Sequence, residues 1–228
     1  DLGPTALGQY SAAAMLVMPF TLLSIAIGQA WLPRITQQYE ESRPDAARSV
    51  SRALLLSVAG WGILAVVVAA LSPWVITLVS GPEFLPGSRA LPFLCLASVW
   101  SGTSLFAGTG FTLAKRSKLF PVVAIAAAVV NVLLLQALVA SFELVGAAVG
   151  VALTYLLLAL GLLALSERYF PVAPPWLRLF LLCVVISGQC TLATFSTGWG
   201  LITAPLAIVA ILLTTFHAPR RTLPALSV

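Results

Sequence analysis

Charged residues divide this chain into six long stretches that contain none of them: 2–33, 53–82, 90–114, 119–142, 144–166 and 179–219. An α-helix rises about 1.5 Å per residue, so roughly 20 apolar residues cross the hydrocarbon of a bilayer. The first five stretches are 32, 30, 25, 24 and 23 residues long, and each supplies one crossing. The sixth has 41 residues, enough for two, with Ser196, Thr197 and Gly198 near its middle as a turn. The expectation is an all-α polytopic membrane helix bundle of about seven spans, near 8–33, 54–79, 91–113, 119–141, 145–166, 178–196 and 199–217. No segment alternates apolar and polar residues as a membrane barrel strand would.

Composition agrees. The 228 residues are 60% hydrophobic and 8% charged, whereas a soluble domain is about 25% charged. So few charges cannot coat a water-facing globule. Soluble enzymes, nucleic-acid-binding domains and disordered tails are excluded, despite a net charge of +5. The three cysteines, Cys95, Cys183 and Cys190, fall in apolar runs without metal-ligand spacing, and read as small core residues. The chain starts at Asp1, and its only methionines, Met15 and Met18, lie inside an apolar run. It is expected to be a C-terminal part of a longer protein.

Direction follows from the basic residues. Arg34, Arg43, Arg48, Arg52, Lys115, Arg116, Lys118, Arg168, Arg178, Arg220 and Arg221 follow the odd-numbered spans, and only Arg89 falls on the other side. Basic residues stay cytoplasmic, so the first span enters from outside and the C-terminus is expected in the cytoplasm. Trp31, Trp74, Trp176 and Trp199 mark span ends, where an amphipathic ring prefers the headgroup layer. Trp61 and Trp100 lie inside spans.

Catalysis within the membrane needs nucleophiles, acids or metal ligands at depth. The sole histidine, His217, lies at the end of the last span, and the aspartates are Asp1 and Asp45. No catalytic pair can be assembled from them, so no enzyme, cofactor or metal site is expected. The polar residues at depth are neutral. Ser98, Ser101, Ser104, Gly108 and Thr112 recur at helical spacing on the third span, and either permit close helix packing or line a hydrated cavity. Asn131, Gln136, Gln29 and Gln189 must each bond a neighbouring helix or face water. Gly146 and Gly150 form a packing motif on the fifth span. Residues 34–52 predict a short cytoplasmic surface helix, opened by Pro44 with Asp45 at its positive end, running into the second span.

The order of features resembles a known family. ALGQYSAA heads a helix ending in AWLPRITQQYEE, similar to a G-x-Y-x-x-A … P-x-(I/L)-(S/T) stretch. LVSGPEFLPGSRALPFL is similar to a short outer loop, followed by GTGFTLAKRSKLF, a mid-span asparagine in VVNVLLLQALV, and ELVGAAVGVALTYLLLALGLLAL. Across residues 7–170 these motifs resemble the polysaccharide (O-antigen and exopolysaccharide) flippases of the multidrug/oligosaccharidyl-lipid/polysaccharide exporter superfamily. That resemblance implies two six-helix lobes around a central cavity, with this chain as helices eight to fourteen of a fourteen-span member. Residues 1–170 would then be C-terminal-lobe helices, and 171–228 an additional helix pair with a cytoplasmic tail.

The implied activity is translocation of an undecaprenyl-diphosphate-linked oligosaccharide across a bacterial inner membrane, together with a missing N-terminal lobe. Trp100, Ser101, Ser104 and Asn131 are candidates for the cavity wall. Arg34, Arg52, Lys115, Arg116 and Lys118 are candidates for cytoplasmic contact with the diphosphate. The competing readings are a peptidoglycan-precursor flippase or cation-coupled drug exporter of the same architecture, and a non-transporting scaffold or truncated remnant.

Overall fold

The computed structural model describes residues 3–116, 118–172 and 174–216. Among them every regular element is a helix. In chain order these are α1 (Pro4–Glu41), α2 (Arg43–Ala70), α3 (Ser72–Val79), a 3-10 helix (Pro82–Arg89), α4 (Leu91–Ala107), α5 (Thr109–Leu113), α6 (Leu119–Glu167), α7 (Trp176–Phe195) and α8 (Thr197–Phe216). Six helical segments are long and apolar enough to cross a membrane, with α4 and α5 counted together.

The sixfold count conceals a seventh arm. The 49-residue α6 is not one rod: Glu143 has φ 47° and ψ −122°, and the chain reverses there. Pairs across the bend fix an antiparallel register. Asn131 Nδ2 donates to Thr154 Oγ1 at 2.8 Å, Gly150 faces Leu135, Gly146 faces the Leu138 carbonyl and Gly161 faces Val123. The two arms therefore match the spans expected at 119–141 and 145–166. Gly146 and Gly150 let them approach closely; a Cβ on Gly146 would stand 2.1 Å from the Leu138 oxygen.

Three sequence expectations need correction. Residues 34–52 form no separate surface helix, because α1 continues to Glu41 and α2 begins at Arg43, leaving Ser42 as the junction. Pro33 sits within α1 without ending it: it lacks only its own N–H, and beside it the Thr36 hydroxyl donates to the Leu32 carbonyl at 3.0 Å. Pro44 and Asp45 do occupy the first turn of α2, as helix-start chemistry requires. The second span is not continuous over 54–79. It breaks at Leu71, where Pro73 cannot donate a backbone bond and instead opens α3. The third span breaks at Gly108, between α4 and α5.

Junctions at opposite poles define two ends of the bundle. At one, Tyr39 of α1 packs edge-on against Phe170, with ring centroids 5.4 Å apart, and Phe111 of α5 lies against Tyr169. The Arg43 and Arg116 guanidiniums stack over Tyr39 and Tyr169, at 5.2 and 5.0 Å. The α1–α2, α5–α6 and α6–α7 junctions thus meet there. The start of α1, the 3-10 helix and the Glu143 bend meet at the other end, where Gly87 lies against the Gln9 carbonyl. Every described basic residue except Arg89 belongs to the first end.

Helix α4 forms the centre. It packs against α1, α2, α6 and α7, and is buried over most of its length. Small residues permit these contacts. Gly102 faces Ser24 of α1 and the Trp61 indole of α2, and Gly110 of α5 faces Ser166 at the end of α6. Helices α7 and α8 pair with each other and lie on α2, where Gly62 receives the Ile186 side chain. Large apolar side chains such as Leu78, Phe195 and Leu22 project outward, as lipid-facing positions do.

Candidate functional site

A groove of about 310 Å³ lies between α1 and α4–α5, on the side nearer the basic end. Its polar groups are Gln29, Thr109 and Thr112, set beside Trp31, Phe106 and Phe120. Local sequence explains the shape. Gly28 lets α1 approach Leu105 of α4, and Gly108 leaves room for the Phe120 ring, 3.2 Å from where a Cβ would stand. Trp31 packs edge-on against Phe106 at 5.1 Å, forming one aromatic wall. Gln29 and Thr112 are exposed within a helical stretch that carries no charge. Amide and hydroxyl groups at such a position have either water or a polar ligand to bond.

The five basic candidates lie at the adjacent end. Arg34 follows Trp31 by one turn of α1, Arg52 lies in the third turn of α2, and Lys115, Arg116 and Lys118 occupy the α5–α6 junction. All five are exposed, and none makes an ion pair among the described residues; the ion pair found there joins Arg48 to Asp45. Lys115 has φ 56°, which turns the chain sharply between α5 and α6. Arg116 stacks over the Tyr169 ring, which sets its charge beside the end of α6. An electropositive end beside an amphipathic groove can receive an anionic headgroup while leaving an apolar tail in lipid.

The four cavity-wall candidates are less accessible. Trp100 is 3% exposed and Ser104 6%, both enclosed by this chain's own helices. The Ser104 hydroxyl donates to the Ser101 carbonyl at 2.7 Å, and Ser98 donates to Leu94 at 3.1 Å. Ser101 is half-buried. Asn131 is spent on Thr154 across the α6 hairpin. On the polar face of the third span, close packing thus dominates at Ser98 and Ser104, while Gly108 and Thr112 reach the groove. Among the other amides, Gln189 donates to the Gly200 carbonyl at 2.6 Å and pins α8 to α7, whereas Gln136 is exposed. The sequence reading did not bring Gln29, Trp31 and Phe120 together. The available signal was that Trp31 stands within one turn of Arg34 and Gln29 within a turn and a half. His217, Arg220 and Arg221 lie outside the described residues.

A family model described as MatE matches residues 1–137, which run from α1 through most of the first arm of α6. The match covers more than half of the chain. The chain belongs to the MatE family. MatE proteins are membrane transporters, not enzymes, and membrane transport is therefore the function class of this helical bundle. The groove, α4 and the five basic candidates fall within the matched MatE region, while Tyr169, Phe170, α7 and α8 lie beyond it. No curated protein and no solved structure matched the chain.

Proposed function

We propose that this MatE-family chain forms one lobe of a translocator for a lipid-linked oligosaccharide of the undecaprenyl diphosphate type. The lobe would sit in a bacterial inner membrane with its basic end in the cytoplasm. The observation that carries this reading is the pairing of the exposed cluster Arg34, Arg52, Lys115, Arg116 and Lys118 with the amphipathic groove beside it. A diphosphate needs the cations, a glycan needs amides and hydroxyls, and a polyprenyl tail can remain against α1 and Phe120. Ser101, Trp100 and Ser104 on α4 and Asn131 on α6 would support the wall from which a second lobe closes the route.

A cation-coupled drug exporter shares the MatE architecture. Coupling to a cation through this chain would use an ionisable group at membrane depth, yet every acidic residue lies outside the uncharged stretches. The exposed basic cluster favours an anionic lipid-linked cargo. Complementation separates the two. The chain in its full reading frame should restore surface polysaccharide to a flippase-null strain and leave efflux of cationic dyes unchanged. Dye efflux without polysaccharide would overturn the proposal.

A further inference from the structure

The end opposite the basic cluster holds a second concavity, of about 700 Å³, between the start of α1, the 3-10 helix and the bend of α6. Its lining includes Gln9, Pro86, Ser88, Arg89, Phe142 and Glu143. Arg89 is the one basic residue that the described chain keeps at this end, and it is exposed. Glu143 is exposed as well, and the two make no ion pair with each other. Both charges therefore remain available to a ligand.

Two features show that the walls are held in shape. Gly87 sits so close to α1 that a Cβ would stand 2.6 Å from the Gln9 carbonyl, which clamps the 3-10 helix beside Arg89. Glu143 keeps φ 47° and ψ −122°, a conformation that costs a residue with a side chain of order 1–3 kcal/mol. Glycine would take this bend more easily, yet the position carries a carboxylate that lines the concavity.

We infer that this concavity is an outer-side subsite for an acidic saccharide, with Arg89 binding the sugar carboxylate and Glu143 accepting from its hydroxyls. A guanidinium fork matches a carboxylate or a phosphate. Glu143 weights the choice: it repels a doubly charged phosphate more than a singly charged carboxylate, and it accepts hydroxyl donors from a sugar ring. Pro86 and Phe142 offer apolar surface for the ring's faces. The inference rests on the lipid-linked oligosaccharide reading and extends it to where the glycan emerges.

Binding can be measured without transport. The full chain in lipid nanodiscs, open on both faces, is titrated by ligand-observed NMR with D-glucuronate, D-glucose and inorganic phosphate. Glucuronate should bind about tenfold more tightly than either control. R89A should remove that preference, while R178A, at the opposite end, should leave it unchanged. E143Q should narrow the glucuronate-over-phosphate ratio by strengthening phosphate, and this ratio also decides the matter if R89A fails to fold. Equal affinity for all three probes overturns the subsite, as does phosphate binding more tightly than glucuronate or indifference to both variants. Failure here, with polysaccharide restored in cells, would refute the subsite alone. Failure in cells with specific glucuronate binding would refute the translocator alone.

Discussion

Glu143 shows how one residue can oppose its own backbone. Its positive φ reverses α6 between two apolar arms, and a side chain pays for that conformation in strain. E143G should therefore raise the thermal unfolding midpoint in detergent, by the equivalent of about 1 kcal/mol, even as it removes the carboxylate. A lower midpoint would show that the carboxylate, not the bend, dominates at this site. Asn131 lies on the same hairpin and behaves differently. Its bond to Thr154 is a neutral pair within the membrane, for which about 0.6 kcal/mol is usual and about 1.7 the upper range. N131L should lose that much stability, and T154V in the N131L background should lose little more. Additive losses would indicate separate partners.

At the scale of elements, hydropathy located the arms and local chemistry set their limits. The charges around 83–89 and 114–118 bounded α4–α5 correctly, and the lone Glu143 between two uncharged runs divided α6 in two. What the apolar pattern could not reveal was continuity. Pro33 is absorbed within α1, Pro73 breaks a span, and only packing against neighbours separates those cases. The candidate site was legible in part for the same reason. Basic residues near span ends are visible in one dimension, whereas the groove depends on Gly28 and Gly108 bringing α1, α4 and Phe120 together. The serine periodicity on α4 was real, but Ser98 and Ser104 satisfy their hydroxyls within their own helix. The α7–α8 pair gives a direct test of packing. Gly62 faces Ile186 so closely that a Cβ would stand 2.3 Å from its Cδ1. G62L should push α7 off α2, destabilise the fold by about 1–3 kcal/mol, and expose the pair to proteolysis. Unchanged protease resistance would mean that α7 and α8 are held elsewhere.

At the scale of the molecule, the two ends have opposite characters: one gathers cations held against aromatic rings, the other carries Arg89 and Glu143 beside a concavity. Membrane insertion reads such asymmetry, and on that ground we propose that the basic end faces the cytoplasm. A cysteine introduced near Glu83 should label from outside intact cells, and one near Lys115 should not; the reverse pattern would invert the molecule. We propose that this MatE-family chain receives an anionic lipid-linked saccharide at its basic end. The most direct measurement replaces Arg34, Arg52, Lys115, Arg116 and Lys118 together with glutamine in the full reading frame and scores surface polysaccharide in a flippase-null strain, with membrane abundance of the variant checked alongside. Surface polysaccharide should fall to the level of the null strain while the protein remains in the membrane. Undiminished polysaccharide from the fully neutralised variant would contradict the claim.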